Sequence, residues 1–341
     1  MNRLHAFIDL DRGAVADLTA DYSLGELRSV EPLVTGIINT NYVLRTDAGD
    51  FLLRLYPPER SADALRFEFS TLARLAEANF PCPRVIANRE GKTVAWSEAH
   101  ARHYAVLEFI PGTTLPREAI DAGVVDQIGS LFADMQRTLS GFVPEGDKPR
   151  ADLEFVRELG QATLDRIAAL PGEGPATAER LRQVWARSHA RFDQPKGSVP
   201  ALERGVVHAD LYFDNVIVEG DQIRGVIDFD DSYFGLFLID LAVTLMEFTF
   251  VEADALDFEL GERLLRRYYA RRPEAKGEAH LLHDGMICAC YKYLGYTADL
   301  PEYAGEALLG NEYIARIDYL ARPEIRAKVE AMIAAAVEVP A

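Results

Sequence analysis

The chain has 341 residues, 49% of them hydrophobic and 26% charged, an ordinary globular balance with length for two lobes. A net charge of −18 argues against a basic stripe for nucleic acid, and no apolar run reaches the length of a membrane span. Three cysteines, with no second pair at zinc spacing, read as reduced thiols; the opening MNRLHAFIDLDRGAV interrupts its apolar residues with acids, unlike a signal peptide, so a cytoplasmic location is expected.

Residues 1–28 read as helix with a polar lead. The pattern then changes to strands from Val30 to Tyr56, where NYVLRT and DFLLRLYP are joined by the hairpin signal DAGD. PLVTGIINTN, just before them, is a turn containing Gly36. In DALRFEFSTLARLAEANF, Leu65, Phe69, Leu72 and Leu75 fall at helical spacing. CPRVIAN, TVAW and RHYAVLEFIPG read as further strands, which gives about five strands and one helix over residues 1–110. Residues 111–341 are mainly helical, with linker-like FVPEGDKPRAD and FDQPKGSVPALERG and two strand-like runs, GVVHAD and GDQIRGVIDF. The expected class is α+β and bilobal: a β-rich N-terminal lobe with an inserted helix, then a mainly helical lobe.

The two late strand-like runs carry the chemistry. HADLYFDN fits H-x-D-x-x-x-x-N, the catalytic-loop pattern of kinases, and IDF places Asp228 thirteen residues after Asn215. A phosphoryl donor travels with Mg²⁺, which prefers oxygen ligands; Asn215 offers an amide oxygen and Asp228 a carboxylate. The acceptor hydroxyl must lose a proton, and Asp210 stands where a base is needed. Asp and Asn are also common turn residues. Apolar strands on both sides and the spaced IDF favour the kinase reading over two polar surface turns.

On these residues the chain resembles the aminoglycoside phosphotransferase and choline kinase superfamily, small-molecule kinases with a protein-kinase-like fold. TGIINTNYVLRTDAGDFLLRLYP is most similar to type II homoserine kinases. The resemblance implies ATP and Mg²⁺ as cofactors. It also implies that His208 braces the catalytic loop and that Asp240, in IDLA, holds the loop backbone. Gly36, Asn39, Thr40 and Asn41 match the nucleotide-covering loop, and Leu52 the strand position facing adenine. Arg54 matches the residue that contacts the α- and β-phosphates, where the family often has lysine; a guanidinium fork is not equivalent to an ammonium point charge. Glu68 matches the helix acid that orients this cation, and Glu108 and Ile110 the hinge whose backbone meets the adenine edge. Ala209 stands where the superfamily usually has glycine.

Asp240 follows Asp228 by only twelve positions, too few for the activation segment of a phosphorylation-switched protein kinase. A small hydroxylated, amine-bearing acceptor is favoured, with homoserine or a related amino alcohol as the best match. Asp230 and Asp231 either bind a substrate ammonium or are turn carboxylates. Tyr212, with Phe213, Tyr233, Tyr291, Tyr293 and Tyr296, could wall the acceptor pocket, although aromatics at helical spacing more often belong to a core. The alternatives are an antibiotic phosphotransferase, a bacterial stress Ser/Thr protein kinase and a nucleotide-binding pseudokinase. Oligomeric state stays open.

Overall fold

A computed structural model describes residues 7–34, 38–148, 153–192 and 202–338, without the side chains of 153–155. The chain divides into two compact units. The first gathers Met1–Thr113, Val143–Lys148 and Arg224–Asp230, and the second the remainder. Two later segments, Val143–Lys148 and Arg224–Asp230, join the first unit from beyond the boundary at residue 110 expected from sequence.

The first unit opens with α1 (Arg12–Thr19), capped by the Asp11 carboxylate on the Ala14 amide. The expected helix over residues 1–28 is therefore shorter. It ends at Thr19, ahead of Gly25, which sits at φ 81° where a side chain would come within 2.2 Å of Asp47 Oδ1. The next residues leave as β1 (Leu27–Leu33), antiparallel to β2 (Thr40–Thr46). β2 turns into β3 (Asp50–Leu55), and α2 (Ala62–Glu77) follows, capped by Ser61. Leu65, Phe69, Leu72 and Leu75 are all buried on α2, as their spacing predicts. The strands β4 (Val85–Ile86), β5 (Ala95–Ser97) and β6 (Arg102–Glu108) complete a six-stranded sheet of order β1-β2-β3-β6-β4, with β5 beside β6. Strand alternation decides what each face does. Tyr42, Leu44, Leu53 and Leu55 pack with Val15 of α1 into one core, whereas Leu52 and Arg54 point to the opposite face.

The second unit starts within β7 (Thr113–Thr114), at Thr114, and runs through α3 (Ala122–Leu139), α4 (Leu153–Ala168) and α5 (Gly174–His189). Two strands then bracket the catalytic-loop pattern: β8 (Arg204–Val207) before it and β9 (Val216–Glu219) after it. Gly220, at φ 62°, turns the chain into β10 (Gln222–Val226), whose second half belongs to the first unit. β11 (Tyr233–Leu236) returns antiparallel to β8 and leads into α6 (Phe237–Thr249). The short pair β12 (Phe250–Glu252) and β13 (Ala255–Leu256) precedes α7 (Phe258–Arg271), α8 (Leu282–Thr297), α9 (Glu312–Leu320) and α10 (Pro323–Val337). Every residue of α6 is buried, so the catalytic segment rests on an element that packs on all sides. The architecture is α+β, a sheet-rich N-terminal unit and a mainly helical remainder. No helix of the described residues is long and apolar enough to cross a membrane.

Candidate active site

The loop after β8 is held from three directions, all within the second unit. Asp240, in the first turn of α6, accepts from the Ala209 amide at 2.8 Å and the His208 amide at 3.2 Å. Burial raises the Asp240 carboxyl to about 6, against the lowering effect of those two amides, Gln136 and Lys292, so it is ionised at neutral pH. The buried Lys292 ammonium donates to the Ala209 carbonyl. His208 is fully buried, and its Nδ1 accepts from the Asp210 amide at 3.3 Å. Ala209 itself sits at φ 71°, in the left-handed region where glycine is at ease. Hydrogen bonds to both its amide and its carbonyl keep an alanine there.

Asn215 gives its amide hydrogens to Asp210, at 2.8 Å to the carbonyl and 3.5 Å to Oδ2. The amide oxygen is what remains to accept a cation. Asp228 also has a positive φ, 64°. Among the described residues no group of three or more His, Cys, Asp and Glu gathers into a self-sufficient metal cage. Taken separately, the Asn215 amide oxygen and the Asp228 carboxylate are the kind of oxygen donor that a hard cation takes.

In the first unit, Arg54 is the centre of a buried ionic cluster. Its Nη1 lies 3.2 Å from Asp230 Oδ1 and 3.5 Å from Asp228 Oδ1, and its Nε donates to Asn41 Oδ1 at 3.0 Å, across the β2–β3 pair. Asn39 and Arg60 reach the Asp230 carboxylate at 2.5 and 3.5 Å, and Lys148 donates to its carbonyl. Burial alone would raise the Asp230 carboxyl, but Arg54, Arg60 and Asn39 hold it below the usual carboxylate range. Glu68 goes the other way: burial, then the Asp230 charge, push it up to about 8 despite Arg54. Asp230 is therefore the charged partner of Arg54, while Glu68 keeps its proton to higher pH than an ordinary carboxyl. Asp230, read from sequence as a substrate contact, is the carboxylate nearest the Arg54 guanidinium, and Glu68 also acts on it electrostatically. Asp230 is only 5% exposed, so its carboxylate meets these cations and not an ammonium of the acceptor.

The remaining expected residues fall as follows. Thr40 is buried and accepts from the Ile8 amide at 3.1 Å, fastening the N-terminal segment. Leu52 is half-buried on the Arg54 face. Glu108 ends β6 with an exposed side chain, and its amide donates to the Arg84 carbonyl at 2.8 Å. Ile110 is half-buried over Gly225, where an added side chain would come within 2.4 Å of Ile110 Cδ1. Asp231 is exposed. Gly36 lies outside the described residues.

A cavity of about 260 Å³ opens beside Asp210 within the second unit. Tyr212, Phe213, Tyr293 and Tyr313 wall it. The Tyr293 hydroxyl donates to Asp210 Oδ1 at 2.7 Å, and its ring stacks on Tyr313 with centroids 5.2 Å apart. Burial, then the Asp210 charge, raise the Tyr293 phenol well above its ordinary value, so it remains a donor. Tyr291 and Tyr233 belong to the core: both are buried, and Tyr291 gives its hydroxyl to the Leu181 carbonyl.

The sequence matches the phosphotransferase enzyme family over residues 29–277, nearly three quarters of its length. The chain belongs to this phosphotransferase family. It is 31% identical over 269 residues to a homoserine kinase of Methylobacillus flagellatus, covering 78% of this chain and 77% of that one. Among solved structures, a microcompartment-associated aminopropanol kinase superposes with a TM-score of 0.71 at 19% identity, over 94% of this chain and all of that one. An amicoumacin kinase in complex with AMP-PNP and Ca²⁺ gives 0.66 at 16% identity, over 94% of each chain. These likenesses show a kinase-like fold.

The phosphotransferase holds several site residues that sequence reasoning missed. Lys292 lies in CYKYLGYT, a stretch read for its tyrosines, and Lys148 in a stretch read as a linker. Arg60 follows β3 with no motif to mark it. Arg117, Glu247, Glu312 and Arg316 line the cavity from three separate stretches of sequence, with only the i,i+4 pair Glu312–Arg316 related by spacing.

Proposed function

We propose that this phosphotransferase transfers the γ-phosphoryl group of ATP to the side-chain hydroxyl of homoserine or a closely related amino alcohol. The observation that carries the reading is the placement of Asp210 on the wall of a small cavity, with its carboxylate aimed by Tyr293. A volume of about 260 Å³ suits a metabolite of this size and is below the roughly 300–1,000 Å³ typical of drug-sized ligands. The name of the Methylobacillus relative supports homoserine, and the AMP-PNP and Ca²⁺ of the amicoumacin kinase complex support an adenine nucleotide with a divalent cation. Use of ATP goes with a cytoplasmic location.

In this reading Asp210 takes the proton of the acceptor hydroxyl as its oxygen attacks the γ-phosphorus. The bond from that phosphorus to the β,γ-bridging oxygen breaks, and its electron pair leaves with ADP. The products are ADP, the phosphate ester and one proton. Asn215 and Asp228 would hold Mg²⁺, which when bound would neutralise phosphate charge. Arg54 contacts the phosphates, aimed by Asp230, and Asn39, Leu52, Glu108 and Ile110 belong to the nucleotide site.

A coupled ADP-release assay with MgATP and L-homoserine tests this. Turnover that depends on homoserine and on divalent metal is expected. Absence of turnover with homoserine, together with turnover on an aminoglycoside or a protein substrate, would replace the acceptor.

A further inference from the structure

The charges around the Asp210 cavity are unevenly committed. Arg316 is 1% exposed; its Nη1 donates to Glu247 Oε1 at 2.7 Å and its Nη2 to Glu312 Oε2 at 3.1 Å, with the guanidinium over the Phe250 and Tyr313 rings. Its charge is answered inside the protein. Arg117 lines the same cavity in a different state. One N–H goes to the Phe250 carbonyl at 2.6 Å, and the guanidinium carbon lies 5.6 Å from the Phe213 ring centre. Among the described residues it has no carboxylate partner. A guanidinium carries five N–H donors in a planar fork that matches a carboxylate edge, and only one is used here. Arg117 is also well placed in the chain. Two residues before it, the Leu115 amide donates to the Val216 carbonyl at 2.8 Å, which ties its segment to the residue that follows Asn215.

The opposite sign is supplied by Glu312. Its side chain is 44% exposed and answers a single Arg316 nitrogen. Glu247 is buried and shared between Arg316 and the Tyr313 hydroxyl. The cavity therefore presents a base for a hydroxyl, a guanidinium that lacks a carboxylate, and an accessible carboxylate, all within a small volume.

We propose that Arg117 reads the α-carboxylate of the acceptor and Glu312 its ammonium, so that the cavity selects a hydroxy-α-amino acid zwitterion over an amino alcohol that lacks the carboxylate. This rests on the acceptor site assigned above and deepens it: Arg117 becomes the specificity-determining residue.

Three acceptors separate the contributions: L-homoserine, 3-aminopropan-1-ol, which lacks the carboxylate, and 4-hydroxybutyrate, which lacks the ammonium. Arg117→Ala is expected to raise KM for homoserine about 10- to 100-fold, the range of a lost charge-assisted pair, with a smaller change in kcat. KM for 3-aminopropan-1-ol should stay within about twofold, because that compound never made the contact. Arg117→Lys should fall between wild type and Arg117→Ala. Glu312→Gln should weaken homoserine and 3-aminopropan-1-ol together and spare 4-hydroxybutyrate. Homoserine binding, measured by calorimetry in the presence of MgADP, gives a readout that does not need turnover. If wild type binds homoserine and Arg117→Ala loses it, the assignment of Arg117 stands even where no phosphate is transferred, and only the reaction is wrong. Equal homoserine affinity in wild type and Arg117→Ala, no homoserine binding to wild type, or a wild type that prefers 3-aminopropan-1-ol would overturn the proposal.

Discussion

The hydroxyl of Tyr293 on α8 donates to Asp210 Oδ1 at 2.7 Å, from a ring held in place by stacking on Tyr313. A base that must point at one hydroxyl gains from a donor that fixes its rotamer, and a hydrogen bond to the ionised carboxylate favours that form. Tyr293→Phe keeps the ring and loses the donor. We expect kcat to fall by roughly 5- to 30-fold, the value of a hydrogen bond of about 1–2 kcal/mol, and the acid limb of the pH–rate profile to move to higher pH. An unchanged rate and profile would reduce Tyr293 to a packing residue.

Ala209 holds φ at 71° between a carboxylate on its amide and an ammonium on its carbonyl. A left-handed L-residue costs roughly 1–2 kcal/mol, while glycine returns about 0.5–1 kcal/mol through unfolded-chain entropy. Ala209→Gly should therefore leave the urea midpoint unchanged or slightly raised and keep kcat. Ala209→Val, with a branched side chain at positive φ, should lose more than about 2 kcal/mol. A glycine variant destabilised by more than about 1 kcal/mol would mean that the alanine methyl contributes packing beyond its strain.

Glu68 gives the pH dependence of stability. Its carboxyl is raised from 4.5 to about 8 in the folded protein, so the native state holds a proton that the unfolded chain releases. The stability linked to that proton is complete below about pH 4.5 and is lost as pH rises through 8. Glu68→Gln removes the slope. Thermal unfolding should show the variant close to wild type at pH 4.5 and more stable than wild type at pH 9. If the two proteins lose stability in parallel between those values, the protonated group is elsewhere in the Arg54 cluster.

Much of this was legible because the chemistry is local in sequence. The H-x-D-x-x-x-x-N segment and the following IDF lie within 22 residues, flanked by short apolar strands, and the α2 core positions follow a 3.6-residue period. What escaped was non-local. Asp230 looked like a turn carboxylate or a substrate contact because nothing near it in sequence shows that Arg54 and Arg60 come to it from more than 160 residues away. Arg54 looked like a departure from lysine, but its fork serves Asp230 and Asn41 at once, which one ammonium on that stem would not reproduce. The charged cavity residues are scattered over some two hundred positions, and only the fold gathers them.

The most direct test of the account is Asp210→Asn, with MgATP binding and phosphate transfer measured on the same protein. The loop is braced through the backbone of residues 208–210 and through Asn215, so the variant should fold. MgATP affinity should stay within a few-fold of wild type, because loss of a proton acceptor is felt in the transition state. Turnover should fall at least about a hundredfold, the lower bound for general-base catalysis. Asp228→Ala should differ by weakening MgATP binding itself. Transfer at the wild-type rate by Asp210→Asn would contradict the assignment of Asp210 as the base, and with it the reading of the cavity as the acceptor site.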